Sequence, residues 1–557
     1  MNQKGRRSIT QCPRLEDVPE LLQHIQSWLP VEEATRTSVL SKSWLRAWST
    51  IPTLRFCVLK EQENRKHMKL LDMERTLIRY HRENIQIEKF ELLIDIENQE
   101  SASVTEKWIQ SVATKSCLKE ISLDIRLFGA SLRLPDEILS GQNLTKIRIS
   151  SSSVKSKVFG LRVIRVPPKM ENHFVSMKTT NHPKCLSLRE LHLSSVIISE
   201  VVLHDILSSC RLLENIELLH CSQGLKAIKV ENLPWLYKLH IATFDGNSTA
   251  LEVNHVPNLR FFSCSVDLLP WSKRPLKNVH LISLGSNVTE LTLCGILFRN
   301  KASLDKIINS GLHFLESLTL DLTCWTSRSF RFTCASMKRF SLLVSPLVDV
   351  VHVIAPKLHC FSLTCRIMPR LFFPDSTLKQ IRFWLRLAIT DLDASFFLKM
   401  RKALKLASEC EVYIKMSLKN HEVQPFEIDI DDLRSRLPFL PAINVKKMFF
   451  IATEDECQWE RSPFFDAFFE ICHPKDVYAL PDSQQLKHNN HFCRLMLKEV
   501  LDKSEIKETI KAYWPSYLKH VQMKRVDHEK RETLTDSHKS FLDGPGPLPV
   551  KFILYWH

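Results

Sequence analysis

The sequence predicts an α/β solenoid that begins with three short helices. A six-residue pattern of alternating apolar residues recurs through the middle of the chain. Apolar residues at helical spacing fill the segment Asp17–Phe56. Glycine is scarce, with 11 in 557 residues, which leaves no glycine-rich loop to cradle a nucleotide phosphate. The chain is therefore expected to present surfaces, and nucleotide-dependent chemistry is disfavoured.

The first 56 residues have the apolar spacing of three helices. Asp17 and Glu20 have the spacing of a capping box, and Pro30 is expected to end the first helix. The first apolar stripe consists of Val18, Leu21, Leu22, Ile25 and Leu29, and the last of Leu40, Trp44, Ala47, Trp48 and Ile51. A segment this short cannot bury so many apolar side chains alone. We expect the rest of the chain or another protein to cover them.

The recurring pattern is L-x-x-L-x-L. Its eleven copies are LKEISL from Leu118, LTKIRI from Leu144, LRELHL from Leu188, LENIEL from Leu213, LYKLHI from Leu236, LRFFSC from Leu259, VTELTL from Val288, LESLTL from Leu315, MKRFSL from Met337, LHCFSL from Leu358 and LKQIRF from Leu378. The copies start 20 to 29 residues apart, apart from one interval of 44 in which we expect a degenerate unit around VKSKVFGLRVIRV. This is the period of leucine-rich repeats.

Each repeat is expected to supply one strand to a curved parallel sheet on the concave side. Single units cannot bury their apolar faces, whereas stacked units share one core. TEKWIQSVATKS, SEVVLHDILSSC and SLDKIINSG have helical spacing and are expected on the convex side. The later units have periods of 20 to 22 residues and leave room only for an extended or single-turn return.

These patterns predict four regions. Residues 1–14 form a disordered basic N-terminus, 15–56 the helical segment, and 57–390 the leucine-rich repeats. Residues 391–557 are expected to form irregular solenoid units, because helical stretches such as ASFFLKMRKALKLA alternate there with strand-like ones such as VKKMFFIA. A loop is expected near 524–548, around DGPGPLP.

The segment VPELLQHIQSWLPVEEATRTSVLSKSWLRAW resembles an F-box, and the whole chain resembles plant F-box/leucine-rich-repeat proteins. It departs from the usual motif at Val18, where leucine is common, and at Ser43, where arginine is common. The resemblance implies that an F-box face docks on the Skp-type adaptor of a Skp–cullin–F-box ubiquitin ligase. The residues it implies in this face are Val18, Pro19, Leu22, Ile25, Leu29, Pro30, Val39 and Trp44, with Trp48 helping to anchor the helices. The alternative is an ordinary cap of the repeat array.

Other chemistry has weak support in the sequence. The net charge of +15 is spread over the chain, so we expect no specific nucleic acid partner. His488, His491 and Cys493 lie close together but lack the regular four-ligand spacing of a zinc site, and we expect neither a metal nor another cofactor. No secretory signal and no apolar run long enough to span a membrane is evident, so a nuclear or cytoplasmic protein with reduced cysteines is expected.

Three functions remain open. The first is a non-catalytic substrate receptor that recruits cullin through the adaptor and binds an unknown target protein through the repeats. The second is a small-molecule co-receptor, which would need cations from neighbouring strands, such as Lys119, Lys146, Arg189 and Lys238, around a pocket. The third is an F-box scaffold outside any ligase. Target contacts are expected at the x positions of the repeats, with candidates Glu190, His192, Asn215, Glu217, Lys238, His240, Glu290, Thr292, Ser317 and Thr319.

Overall fold

The structure, a computed structural model, describes most of the chain in two compact units, Met1–Gly285 and Ser286–His557. The described residues are 15, 18–29, 31–59, 63–153, 174–177, 183–221, 225, 227–243, 250–266, 279–281, 287–298, 301–308, 312–374, 378–388, 392–419, 428–437, 442–451, 464–480, 514–525 and 550–557. The predicted disordered segment 1–14 and nearly all of the predicted loop near 524–548 lie outside them.

Helices form the N-terminal segment and lie in the longer connections between strands. They are α1 (Pro19–Trp28), α2 (Val31–Thr37), α3 (Lys42–Ser49), α4 (Glu63–Arg82), α5 (Gln99–Ala113), α6 (Glu200–Ser209), α7 (Lys301–Ile308), α8 (Ala394–Leu406), α9 (Ile430–Ser435), α10 (Phe464–Ile471) and α11 (Trp514–Tyr517). The three N-terminal helices and the three predicted inter-strand helices, α5, α6 and α7, are confirmed. The 20-residue helix α4 was not predicted from the sequence.

Strands make up the rest of the described secondary structure. They are β1 (Thr53–Val58), β2 (Lys89–Ile96), β3 (Glu120–Leu127), β4 (Leu132–Leu134), β5 (Lys146–Ser153), β6 (Val175–Met177), β7 (Glu190–Ser194), β8 (Val196–Ile198), β9 (Asn215–Leu219), β10 (Ala227–Glu231), β11 (Lys238–Thr243), β12 (Ala250–Asn254), β13 (Phe261–Val266), β14 (Val279–Leu281), β15 (Glu290–Cys294), β16 (Ser317–Leu322), β17 (Ser329–Thr333), β18 (Arg339–Val344), β19 (Val350–Ile354), β20 (Cys360–Cys365), β21 (Arg370–Phe372), β22 (Gln380–Ala388), β23 (Glu411–Lys419), β24 (Ile443–Ile451), β25 (Cys472–Leu480), β26 (Leu518–Arg525) and β27 (Val550–Trp556).

A parallel sheet runs through each unit in chain order. In the first unit the parallel pairs connect β1, β2, β3, β5, β7, β9, β11 and β13. In the second they connect β15, β16, β18, β20, β22, β23, β24 and β25. Mixed α/β architecture with a large parallel sheet is thus confirmed.

The repeated hexamers form the core of both sheets. The fourth and sixth positions are buried in all eleven copies, and the first position is buried in every copy except the last, where Leu378 is half-buried. The x positions between them are half-buried or exposed, as in the alternating pattern of β7. One face of each strand therefore fills the core, and the other remains available for contacts.

The repeats begin earlier than the eleven copies indicate. IEKFEL places Ile87, Phe90 and Leu92 in the core, and IPTLRF places Ile51 and Leu54 there. These two copies escape a leucine search because isoleucine or phenylalanine occupies key positions. The first of these strands, β1, takes residues that the sequence analysis assigned to the end of the N-terminal helical segment.

Two further features differ from the simple repeat scheme. β5 pairs directly with β7 across the 44-residue interval, and the segment VKSKVFGLRVIRV, in which we expected a degenerate unit, lies outside the described residues. Three small parallel sheets lie outside the main sheets, with strand orders β4–β6–β8, β10–β12–β14 and β17–β19–β21. The last of these lies in the shortest repeats, which return in extended form as their length requires.

The far end of the second unit is closed by an antiparallel pair. β27 runs antiparallel to both β25 and β26. The ring of His473 in β25 stacks on that of Trp556 in β27, with the centroids 3.9 Å apart and the planes 1° from parallel. Trp556 Nε1 also donates to the Pro474 carbonyl at 2.8 Å. These contacts fasten the last strand to the parallel sheet.

The stacked histidine should make this end of the protein sensitive to acid. Burial lowers the pKa of His473 to about 4, and this outweighs the raising effect of a hydrogen bond with the Phe469 backbone. Unfolded histidine has a pKa near ~6.5, so the unfolded chain binds a proton that the native state resists. The free energy of unfolding should be highest above pH ~6.5 and decrease as the pH falls toward 4.

Thermal unfolding followed by tryptophan fluorescence between pH 7 and 4 measures this effect. We expect the His473→Gln variant to show a shallower loss of melting temperature with falling pH than the unmodified chain. The control His313→Gln removes an exposed histidine and should keep the original slope. Equal slopes in all three proteins would contradict the prediction.

Candidate partner-binding surfaces

The three N-terminal helices pack around a small core with a polar centre. Leu22, Ala34 and Ala47 are buried, one from each helix. The buried Gln26 side chain donates from Nε2 to Thr37 Oγ1 at 2.9 Å and to the Trp44 carbonyl at 3.2 Å. This single amide therefore connects all three helices. We call α1–α3 the N-terminal bundle.

Hydrogen bonds fix the N-terminal bundle to the first repeat. Gln23 Nε2 donates to Thr50 Oγ1 at 2.7 Å, and Arg79 Nη2 of α4 donates to the Ser49 carbonyl at 3.0 Å. The buried Tyr80 hydroxyl donates to the Ile51 carbonyl at 2.9 Å. Burial raises the pKa of Tyr80, against the lowering effect of Arg79, so the hydroxyl keeps its proton and remains a donor.

A cleft of about 190 Å³ lies at this junction. Trp48 lines it together with residues of β1 and α4, among them Leu54 and Tyr80. Trp48 thus occupies the place expected of a residue that anchors the helices against the first repeats.

The predicted adaptor-binding residues fall into three groups. Val18, Pro19 and Val39 are exposed, while Ile25, Leu29 and Trp44 are half-buried. Leu22 is fully buried, so it can shape the bundle but has no surface for a partner. Pro30 lies outside the described residues, as does Asp17, and α1 begins at Pro19 with Val18 in the cap position.

The bundle also exposes apolar side chains that the sequence analysis did not place in the adaptor-binding face. Trp28, Leu40 and Leu45 are among them, and Trp28 is 78% exposed. Of the 22 large hydrophobic residues that are exposed in the described chain, seven lie between positions 15 and 45. Part of the signal was present in α1, where Trp28 lies outside the apolar stripe that the sequence predicts. Leu21 was assigned to that stripe but is 42% exposed. Such a concentration is typical of a protein-binding surface.

The target candidates of the first unit lie side by side on the available face of the sheet. Glu190, Asn215 and Lys238 are register partners in one row, and His192, Glu217 and His240 form the next. Charged side chains of these two rows pair across neighbouring strands. His192 Nδ1 lies 2.5 Å from Glu217 Oε2, and Lys238 forms an ion pair with the same carboxylate.

Glu217 is the centre of this paired cluster. Burial by itself would raise its pKa, but hydrogen bonds from Lys238 and His192 outweigh burial and hold the pKa below its usual range. The carboxylate is therefore ionised near neutral pH and already occupied by two partners. A ligand would have to compete with these internal contacts.

The cations considered for a small-molecule pocket are also engaged. Lys119 pairs with Glu88 at 2.9 Å and Lys146 with Glu190 at 2.6 Å, while Arg189 and Lys238 pair with Glu214 and Glu217. All four therefore neutralise carboxylates of neighbouring strands. This arrangement gives no support to a ligand pocket built from them.

The second unit has its own candidates. Glu290 Oε1 forms an ion pair with Nη2 of Arg339, which lies two strands away, at a distance of 2.7 Å. Thr292 and Thr319 are register partners, as are Glu290 and Ser317. These residues share the available face of their sheet and continue the pattern of polar rows.

Within the part of the chain that the structure describes, no group of three or more histidine, cysteine or acidic residues is placed to hold a metal ion. His488, His491 and Cys493 lie outside that part. Among the described residues, no helix has both the length and the apolar character needed to cross a membrane.

Comparison with known proteins gives consistent matches. A family model described as "FBD-associated F-box protein At5g56370, LRR repeats" matches residues 105–283. The putative F-box/LRR-repeat protein At5g02930 of Arabidopsis thaliana is 24% identical over 349 residues, which cover 57% of this chain and 67% of that protein. The putative FBD-associated F-box protein At5g56410 of the same plant is 26% identical over 298 residues, covering 49% and 54%.

Coverage varies between relatives. The F-box/LRR-repeat protein At2g42720 of Arabidopsis thaliana is 28% identical over 141 residues, and the chain spans 32% of its length. A solved internalin structure from Listeria monocytogenes aligns with 57% of this chain and 82% of its own at 10% identity and a TM-score of 0.23. The matches to plant proteins confirm the resemblance to plant F-box/leucine-rich-repeat proteins that was drawn from the sequence.

Proposed function

We propose that this chain is the substrate-receptor subunit of a Skp–cullin–F-box ubiquitin ligase. The N-terminal bundle binds the Skp-type adaptor and, through it, cullin, while the repeats bind a target protein. The chain itself makes and breaks no bonds. It contributes proximity, because holding the target near a ubiquitin-charged enzyme raises the effective concentration of the reacting groups. We expect it to act in the nucleus or the cytoplasm.

One observation supports the proposal above all others, namely the apolar surface of the N-terminal bundle. Val39 is 84% exposed and Leu40 is 65% exposed, both in the turn between α2 and α3. An ordinary cap of a repeat array has a polar outer face. A cap that exposes valine, leucine and tryptophan instead is suited to a second protein, as the F-box resemblance implies.

Adaptor binding should be lost when this surface becomes charged. The double variant Val39→Asp, Leu40→Asp places two carboxylates where an apolar partner would exclude water, which is strongly unfavourable. We expect at least a tenfold loss of affinity for the Skp-type adaptor, measured by pull-down and by calorimetry. Leu186→Asp is a matched control, since Leu186 is 61% exposed but lies within the repeats.

A core variant separates binding from folding. Leu22→Ala with Ile25→Ala removes buried methyl groups, and a fully buried leucine typically contributes about 2–5 kcal/mol. This variant should lose both the adaptor and the protease resistance of the bundle, whereas the surface variant should lose only the adaptor. Unchanged adaptor recovery with Val39→Asp, Leu40→Asp would count against the proposal.

Target binding should survive loss of the N-terminal bundle. A deletion of residues 17–50 removes α1–α3 but leaves β1, which starts at Thr53. Affinity purification under proteasome inhibition should recover adaptor and cullin only with the full chain. At least one other partner should be recovered with both proteins, and it should carry less ubiquitin in cells that express the deletion. If every partner disappears with the bundle, the receptor function is wrong.

A further inference from the structure

A row of stacked side chains crosses the available face of the second unit's sheet. Arg382, Tyr413, Phe449, Tyr478 and Lys551 are register partners on five neighbouring strands, β22, β23, β24, β25 and β27. The three rings and their two terminal cations together are called the aromatic ladder below. The corresponding rows of the first unit are built from ion pairs.

The members of the aromatic ladder are in direct contact. The ring centroids of Tyr413 and Phe449 are 4.3 Å apart at an interplanar angle of 8°, and those of Phe449 and Tyr478 are 4.6 Å apart at 15°. Arg382 Cζ lies 5.2 Å from the Tyr413 centroid, and Lys551 Nζ lies 5.3 Å from the Tyr478 centroid. The inner ring, Phe449, is therefore covered on both faces, and each of the two terminal rings has a cation over its outer face.

What the aromatic ladder presents to solvent is consequently the edges of its rings. Ring edges carry partial positive charge, because the quadrupole of an aromatic ring is negative on its faces. The half-buried state of Tyr413, Phe449 and Tyr478 leaves these edges accessible. Edges of this kind, next to an arginine and a lysine, attract carboxylates.

Two rows flank the aromatic ladder, two residues before it and two residues after it in each strand, and each adds a lysine to this face. Lys447 pairs with Glu411 at 3.2 Å, and Lys551 pairs with Asp476 at 2.9 Å, so both carboxylates are neutralised internally. Lys415 Nζ lies 5.3 Å from the ring of Trp384, which is 41% exposed. Arg382 and Lys551 belong to the aromatic ladder itself, Lys447 to the row before it and Lys415 to the row after it.

We propose that the aromatic ladder and its flanking rows bind an extended acidic segment of a partner protein, with apolar or aromatic residues between the carboxylates. The cations and ring edges receive the carboxylates, and Trp384 supplies an apolar contact. The proposal rests on the proposed function in that it names the class of target segment the receptor takes. Binding itself requires no adaptor and can be measured with the chain alone.

The dimensions fit a short peptide that crosses the strands. Neighbouring strands lie roughly 4.8 Å apart, so the five strands of the aromatic ladder span roughly 19 Å. An extended chain rises about 3.3 Å per residue, and about six residues therefore cover this distance. Aromatic and arginine side chains are the types that dominate the binding energy of protein interfaces.

The arrangement suits a peptide better than a single-stranded nucleic acid. Proteins that bind single strands offer open ring faces on which bases stack. In the aromatic ladder those faces are occupied by neighbouring rings and cations, so the stacking contribution is missing. Nucleic acid binding is kept as an outcome of the test.

The test measures fluorescence anisotropy with the full chain at 150 mM salt. The probe is a fluorescein-labelled peptide of three Glu-Asp-Phe repeats, compared with three Gln-Asn-Phe repeats and with a twelve-nucleotide oligo-dT. We expect the acidic peptide to bind at least tenfold more tightly than the neutral peptide. Arg382→Glu should weaken it at least tenfold, and Phe449→Ala at least fivefold.

Matched controls separate the site from the overall charge of the chain. Lys338→Glu changes the net charge as much as Arg382→Glu, but its side chain pairs with Glu316 away from the aromatic ladder. Tyr237→Ala removes an exposed aromatic residue from the first unit. Both should change peptide affinity less than twofold. If thermal unfolding shows that Phe449→Ala is poorly folded, the exposed Trp384→Ala variant replaces it.

Three results would overturn the inference. These are equal binding of the acidic and neutral peptides, equal losses in Arg382→Glu and Lys338→Glu, and binding of oligo-dT without binding of the acidic peptide. Adaptor pull-down with the same variants distinguishes this inference from the proposed function. Arg382→Glu should retain the adaptor, whereas Val39→Asp, Leu40→Asp should retain the acidic peptide.

Discussion

A pair of backbone hydrogen bonds, repeated from one repeat to the next, holds the strands of the main sheets in register from β1 to β13 and from β15 to β22. The carbonyl oxygen at the second position of one hexamer accepts from two successive amides of the next. The Lys119 carbonyl accepts from Thr145 at 2.7 Å and from Lys146 at 3.1 Å, and the Lys338 carbonyl accepts from His359 at 2.9 Å and from Cys360 at 3.1 Å. Because the donors and acceptor are backbone groups, the contact tolerates any side chain and survives sequence divergence between repeats.

Because the register is fixed, the place of a residue within its repeat determines its place on the surface of the sheet. Residues at the same place in successive repeats form rows, and the rows can carry different chemistry on the same backbone. In the first unit a row contains His192, Glu217 and their partners, which satisfy one another. In the second, Tyr413, Phe449 and Tyr478 occupy the equivalent face and stack. The repeats thus vary their exterior while their buried positions stay apolar.

The sequence was sufficient for features that depend on local periodicity. It predicted α1–α3, three inter-strand helices and the hexamer strands, because each has its own apolar spacing. It missed the repeats at Ile51 and Ile87, where leucine is replaced. The aromatic ladder could not be predicted, since Tyr413, Phe449 and Tyr478 are separated by 36 and 29 residues and meet only through strand register. The exposure of Trp28 and the burial of Leu22 likewise depend on how the helices pack against each other.

The hydrogen bonds between the N-terminal bundle and the first repeat have a mechanical consequence. Arg79 of α4 donates to the carbonyl of Ser49, the last residue of α3. Tyr80 donates to the carbonyl of Ile51, on the short connection that leads into β1. With the bond from Gln23 to Thr50, hydrogen bonds hold three successive residues where the N-terminal bundle meets the first repeat. A protein bound to the N-terminal bundle would therefore have a defined orientation relative to the first repeat. The angle between the two would be set by the fold and not by a flexible tether.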